Sequence, residues 1–354
     1  MNTSKANIGI DAHARNCVVG WRDGQGVFQG KVHIKTSEEE LIKAVEAIPA
    51  KYKVVTVEES TIAGWVARTL RHHVDEVVVC DPHRNKSITQ ASVKNDDKDV
   101  EELTRLLWMG QLHGIYHPQD DSRAVFKSQV QQYLDLRQEQ VKLKLQLKAK
   151  YHLWGITQVD GDKVYSEAGR EAYLERIKDD SVRRQIQRIY ALHDEAVRLQ
   201  KDVLKEIVAH GRRYPEIEQF KKMPGVGVIG AHVFDAILQT PDRFEAKSKV
   251  WKYCQLAVTE RSSDGKPLAR RRLDAHGNPV LKSMSYMAWM ASLRAKKGNE
   301  IQRFYYASLE RTKDKTHARL NTQRKIVATM WAIWKNKEEY KPERFLSPAD
   351  ASDR

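Results

Sequence analysis

Cysteine is scarce in this chain: Cys17, Cys80 and Cys254 are the only three in 354 residues, and no two form a C-x-x-C pair. That spacing excludes a disulfide framework and the common zinc sites, and predicts three reduced, mostly buried thiols in a cytosolic protein. Long apolar runs are missing as well. No stretch approaches the roughly 20 apolar residues of a membrane span, and the N-terminus carries no signal-peptide run, so a soluble chain of the bacterial or archaeal cytosol with no membrane partner is expected. Acidic charge is in deficit: 61 Lys and Arg stand against 47 Asp and Glu, a formal net charge of +14, with a pI near 9.5. A soluble protein this basic is expected to meet a polyanion, because neutralising phosphates releases counterions. The length allows two or three domains, each with its own core.

The first 120 residues alternate strand and helix. Asn7 to Asp11 and Cys17 to Trp21 are short apolar strands, and Asp23-Gly24-Gln25-Gly26 supplies a turn before a third strand through Val27, Val32 and Ile34. Three strands joined by tight turns predict an antiparallel meander. Ser37 followed by Glu38, Glu39 and Glu40 opens a helix with Leu41, Ile42, Val45 and Ile48 on its apolar face. Val54 to Val57, a helix from about Ile62 to His72, and Glu76 to Cys80 then repeat strand, helix, strand. The outcome is a mixed sheet covered by helices, in an order shared by ribonuclease-H-like nucleases.

Beyond residue 120 the pattern becomes helical, giving an overall class of α/β plus all-α. Asp121 to about Lys150 is rich in Gln, Lys, Leu and Arg without Pro or Gly, which predicts one long helix. After a break at Gly155, Gly161 and Gly169, a second helix carries Ile189, Leu192, Ala196, Leu199 and Val203 at spacings of three and four, a coiled-coil-like seam. The two are expected to form a helical hairpin over 121–212 that also assists dimerisation. A C-terminal domain over 213–340 follows, then a flexible tail over 341–354. It opens with Met223-Pro224-Gly225-Val226-Gly227 before an apolar helix, a turn that resembles the helix-hairpin-helix element and presents backbone N–H groups suited to a phosphate. Met284, Met287, Trp289 and Met290, and later Ile326, Met330, Ile333 and Trp334, are read as core.

The candidate chemistry lies in the acids. Asp11 closes Ile8-Gly9-Ile10, Glu58 closes Val54-Val55-Thr56-Val57, and Asp96 and Asp99 share a face at i and i+3 where a helix begins. Carboxylates at adjoining strand ends can share Mg²⁺ ions that clamp the attacking and leaving oxygens of a phosphodiester. Successive strand residues face opposite ways, so only one of Glu58 and Glu59 can point with Asp11; Glu58 is chosen, with Glu59 the alternative.

The ordered set Asp11, Glu58, Asp96-x-x-Asp99, a helical middle, Pro224-Gly225-x-Gly227 and a later serine-bearing segment resembles the DEDD insertion-sequence transposases, relatives of the pilin-gene-inverting recombinases. The resemblance runs from about Asn7 to Trp334. It implies a RuvC-like N-terminal domain over 1–120 whose acids Asp11, Glu58, Asp96 and Asp99 bind Mg²⁺, and a C-terminal transposase domain contributing a nucleophilic serine in a basic loop. The matching segment, Ser262-Ser263-Asp264-Gly265, inserts Asp264 before the glycine, and Gln255-Leu256-Ala257-Val258 replaces the usual Gly-Leu-x-Pro. Spacing to Gly277-Asn278 favours Ser263, with Ser262 the alternative. By the same resemblance the reaction is DNA strand exchange through a phosphoserine, with Arg261, Lys266, Arg270, Arg271 and Arg272 offsetting phosphate charge; Gly225 and Gly227 are the separate candidate for gripping a nucleic-acid backbone. The implied partners are double-stranded DNA of the element ends and target, a structured guide RNA, and further copies of the chain in a homodimer or homotetramer, nucleoid-associated, with the two parts of a site drawn from different protomers.

Two rivals belong to other classes: a RuvC-like junction nuclease that hydrolyses DNA with the acids alone, and a non-catalytic nucleic-acid-binding protein. A sugar-kinase reading of Ile8-Gly9-Ile10-Asp11 lacks the Gly-rich adenosine motif it requires.

Overall fold

Ile8 and Ile10 point to one side of the first strand, Gly9 and Asp11 to the other, and this alternation organises the N-terminal unit. In the computed structural model, which describes residues 5–86, 96–118, 120–159, 161–259, 262–263, 266–267 and 272–346, the chain divides into two compact units, Met1–Asp121 and Ser122–Arg354. The first is built on a sheet of six strands: β1 (Lys5–Ala12), β2 (Asn16–Asp23), β3 (Phe28–Lys35), β4 (Tyr52–Glu58), β5 (Glu76–Cys80) and the short β6 (Gly114–Ile115). Their order is β3-β2-β1-β4-β5-β6. β1, β2 and β3 form the expected antiparallel meander, β4 and β5 add in parallel to β1, and β6 closes antiparallel on β5. This is the mixed sheet that the alternation of strands and helices predicts.

Each face of the sheet has its own cover. On one side Ile8, Ile10, Cys17, Val19, Val55 and Val57 pack with α1 (Glu38–Glu46) and α2 (Ala63–Leu70) through Leu41, Val45, Ala63, Val66 and Leu70. The helix α1 starts where Ser37 caps it, its side chain accepting from the Glu40 N–H, with three glutamates in the positive first turn. The short α3 (Pro82–Lys86) follows β5. On the other side lies α4 (Asp96–Trp108), which the position of Gly9 and Gly20 admits. These glycines are direct cross-strand partners, and a Cβ on Gly9 would stand 3.0 Å from Thr104 Cγ2, one on Gly20 2.5 Å from Val100 Cγ1. Glycine inside a strand marks a close backbone approach, and here the approaching element is a helix.

The second unit begins with α5 (Asp121–Leu153), α6 (Glu167–Leu174) and α7 (Asp180–Gly211). α5 and α7 pair as a hairpin, tied by Gln140 to the Ala196 carbonyl at 3.1 Å and to Gln200 at 3.0 Å. At its far end Leu147, Tyr151, Ile177, Val182, Ile186 and Tyr190 form a separate core, in which Tyr190 donates to the Val164 carbonyl at 2.7 Å. The buried seam of α7 differs from the expected one. It runs through Val182, Ile186, Tyr190, His193, Ala196, Val203 and Ile207, whereas Leu192 is 61% and Leu199 37% exposed. Of the expected seam, Ala196 and Val203 are buried and Ile189 packs at its margin. The spacing of three and four selects two adjacent stripes equally well, and the aromatic and β-branched stripe is the one that α5 covers.

The near end of the hairpin merges with the remaining helices: α8 (Pro215–Lys221), α9 (Gly227–Leu238), α10 (Lys247–Tyr253), α11 (Pro279–Arg294), α12 (Glu300–Thr312), α13 (Lys315–Lys335) and α14 (Pro342–Phe345). Phe126, Val130, Tyr133, Val203 and Ile207 belong to the same core as Phe220, Phe234, Leu281, Ile326 and Met330. Met284 and Trp289 are buried as expected, but Met287 is 50% exposed, because it lies on the outer side of α11. Of the tail expected over 341–354, residues 347–354 lie outside the described residues, while Phe345 is fully buried and meets the Phe304 ring edge-on at 5.5 Å. Cys17, Cys80 and Cys254 are buried free thiols. Among the described residues no helix is long and apolar enough to cross a membrane.

Candidate active site

Register determines which acids share a face. In β1 and β4, Ile10 pairs with Val57 in parallel, so the next residues, Asp11 and Glu58, fall side by side. Glu58 in turn pairs with Cys80 of β5. Asp11, Glu58 and Cys80 therefore form one row on the α4 side of the sheet. Glu59 is turned the other way: its backbone N–H donates to the Cys80 carbonyl at 2.9 Å, and its carboxylate lies 3.4 Å from His117 Nε2. The carboxylate of Asp11 is 3.2 Å from His13 Nε2, a neighbour that sequence reasoning missed because the turn over 12–16 folds it back.

Cys80 sharpens the character of the row. Burial pushes its thiol up to about 11, with hydrogen bonds to Thr56 and Asn85 opposing and the Glu58 carboxylate adding to the rise. Without an ion the sulfur stays protonated near neutral pH, and a soft sulfur suits Mg²⁺ less well than a carboxylate oxygen does. The donors left in the row are carboxylate oxygens, the hard ligands that Mg²⁺ takes.

The direction of α4 brings its start to this row. Its last residue, Trp108, donates to the Gly24 carbonyl at 3.3 Å, at the β2–β3 turn. Arg22 Nε donates to Thr104 Oγ1 at 3.1 Å. Val100 lies over Gly9 and Gly20. One helical turn back from Val100 is about 5.4 Å, and two strand residues from Gly9 to Asp11 span about 6.6 Å, so the helix start carrying Asp96 and Asp99 reaches the level of Asp11. Asp99 is exposed; the Asp96 side chain lies outside the described residues. Among the described residues no three His, Cys, Asp or Glu side chains converge to hold an ion. The sequence signal for α4's placement was present in the two glycines centred in apolar strands.

The serine-bearing segment lies in the second unit. β7 (Val258–Thr259) pairs with β10 (Arg272–Leu273), and β8 (Ser262–Ser263) with β9 (Lys266–Pro267). Ser263 is opposite Lys266, and Ser262 opposite Pro267; for these four the structure describes the backbone alone. Arg272 is exposed on β10. Arg261, Arg270 and Arg271 lie outside the described residues. The base of this ribbon is fixed by Asp274, which accepts from the His276 N–H at 2.9 Å and lies 2.8 Å from His276 Nδ1; the His276 N–H bond, chiefly, holds its carboxyl below the usual range.

At the Pro-Gly-Val-Gly turn the two glycines differ. Gly225 (φ +84°) has no room for a side chain, since a Cβ would be 2.1 Å from the Ala288 carbonyl and 2.6 Å from the Ser292 nitrogen; close packing on α11 accounts for it. Gly227 (φ +62°) opens α9 with nothing within 4 Å of its Cβ position. Of the two, Gly227 alone has open space at its side-chain position.

Comparison with known proteins agrees with this division. A family model described as a transposase of the DEDD IS110 type matches residues 8–155, and a model of the IS116/IS110/IS902 transposase family matches residues 217–306. No curated protein matches the chain. With the mixed sheet and its carboxylate row under the first model and the helical core and ribbon under the second, the chain belongs to the IS110-type DEDD transposases.

Proposed function

We propose that this transposase cuts and rejoins DNA in a Mg²⁺-dependent transesterification, guided by a structured RNA, with Asp11, Glu58, Asp96 and Asp99 as the metal ligands and Ser263 as the nucleophile. The single observation that carries the reading is the shared row of Asp11 and Glu58 with the start of α4 directed at it. Bound Mg²⁺ would supply charge to a phosphodiester whose electron-rich oxygens otherwise shield it from attack. Asp11 and Glu58, on rigid neighbouring strands, fix the position of that charge; Asp96 and Asp99 complete the set from the helix. The carboxylate oxygens of Asp11 and Glu58 are the hard donors this ion takes.

Ser263, supplied by another copy of the chain, attacks phosphorus through Oγ. One P–O ester bond forms as the bond to a deoxyribose oxygen breaks, and the serine proton ends on the released hydroxyl. The phosphoserine retains the free energy of the broken bond, so a second strand's hydroxyl can reverse the step and reseal DNA without ATP. Arg261, Lys266, Arg270, Arg271 and Arg272 offset charge on the pentavalent phosphate. The protein would contact the guide RNA through backbone and shape, with sequence left to base pairing.

The test uses the full chain, its element ends on a plasmid and the element's flanking transcript. Asp11→Asn should abolish strand exchange while DNA binding stays within a few-fold of the parent. Ser263→Ala should lose a covalent protein–DNA adduct that the parent forms. Cleavage surviving in full in Ser263→Ala would instead establish hydrolysis by the acids alone, or attack by Ser262, which Ser262→Ala distinguishes.

A further inference from the structure

The carboxylate row continues across the sheet into a cleft of opposite charge. Asp11 is the cross-strand partner of Val18, and Val18 is the partner of His33 on the edge strand β3, so Asp11, Val18 and His33 lie on one face. The next pair outward, Asn16 and Lys35, has the same parity and the same face. Asn16, Val18, His33 and Lys35, together with Arg15 and His13, line an open cleft of about 590 Å³ at the end of β2 and β3. That volume falls in the range of ligand clefts rather than ion sites. Its lining carries two permanent cations and two histidines and no carboxylate. Lys31 extends the row of cations along the exposed edge, as the partner of Gly20.

We propose that this cleft holds the phosphodiester backbone of the DNA strand being cut, a few nucleotides from the phosphate at Asp11. The inference rests on the assignment of Asp11 to the cleaving site. Neighbouring strands are about 4.8 Å apart, which puts His33 about 10 Å from Asp11, and a DNA strand advances at least about 3.4 Å per nucleotide, so the cleft meets the backbone within about three nucleotides of the scissile phosphate. A cation would be repelled by Arg15 and Lys35, and a neutral ligand would leave their charge unused. The carboxylates, in turn, need such a clamp. Before an ion binds they repel DNA, and cations on the same face supply the compensating attraction that brings a strand to them.

The experiment measures equilibrium binding of the full chain to a fluorescein-labelled 30-base-pair duplex of mixed sequence across a KCl series. For Arg15→Gln/Lys35→Gln the slope of log K against log salt should fall by about 1.8, at about 0.9 for each phosphate no longer neutralised. Arg15→Lys/Lys35→Arg, which keeps both charges, should restore it, and equal melting temperatures exclude a folding defect. An unchanged slope in the Gln variant overturns the proposal, as does a reduced slope for an RNA oligonucleotide of the same sequence with none for DNA. Asp11→Asn separates the two layers. If it abolishes cutting while the Gln variant binds like the parent, the cleft inference alone fails. If Asp11→Asn still cuts, the active-site reading fails whatever the slope.

Discussion

Replacing Gly20 with Ala tests how α4 is held over the acids. The added methyl would sit 2.5 Å from Val100 Cγ1 and 3.3 Å from the Phe28 ring. Carbon atoms in contact settle about 3.5–4.0 Å apart, so roughly 1–1.5 Å must be recovered. Val100 cannot swing aside: it is fully buried, and a β-branched side chain in a helix has one strongly preferred rotamer. The helix itself must retreat. Such overpacking costs about 1–3 kcal/mol, and a shift of about 1 Å at a catalytic group can cost about 100-fold in rate. Hydrogen exchange read segment by segment should show α4 amides less protected by that free energy, with strand exchange reduced by one to two orders of magnitude. Val100→Ala removes the clashing atom, so Gly20→Ala/Val100→Ala should recover much of the loss, a coupling of about 0.5–3 kcal/mol. Unchanged α4 protection and activity in Gly20→Ala, or strictly additive costs in the double variant, would refute the reasoning.

Other outcomes follow from the second unit and the thiols. Arg123 bonds both the fully buried Asp235, at 2.6 Å, and Glu216, at 2.5 Å, and stacks 3.9 Å from the Tyr214 ring centre. Arg123→Met, which leaves two buried carboxylates without their cation, should cost about 3–5 kcal/mol in urea unfolding. Burial raises the Asp235 carboxyl well above its usual value, despite Arg123. The folded chain therefore binds a proton that the unfolded chain releases, stability falls as pH rises through that interval, and Asp235→Asn should flatten the slope. Along α7, Ile186→Ala should cost about 2–5 kcal/mol and Leu192→Ala no more than about 0.5 kcal/mol; equal costs would restore the seam through Leu192. Ellman's reagent should find none of the three thiols in the native protein and all three in guanidinium, and prompt native reaction at Cys80 would contradict its raised pKa.

Much of the sheet was legible because a strand's alternation and a helix's capping are local. Ile8-Gly9-Ile10 and Ser37 with its three glutamates are read correctly from a few residues each. Choices between equivalent faces were not legible. Ile189, Leu192 and Leu199 fit a helical stripe as well as Val182, Ile186 and Tyr190 do, and only the contact with α5 selects between them. Phe345 sits in a polar terminal stretch, and nothing local tells that Phe304 covers it.

The sequence by itself determined the inventory: apolar strands ending in acids, long polar helices, a surplus of positive charge, and the ordered motif of a DEDD transposase. Tertiary structure decided which of these meet. Parallel pairing of β1 with β4 puts Asp11 beside Glu58 and turns Glu59 away, and the bare backbone of Gly9 and Gly20 lets α4 lie down with its start toward them. Both are long-range matters of register and available space, set between residues 47 (Ile10 and Val57) to 95 (Gly9 and Thr104) positions apart in the chain. Local propensity carries no information about such pairings; the free energy of packing does.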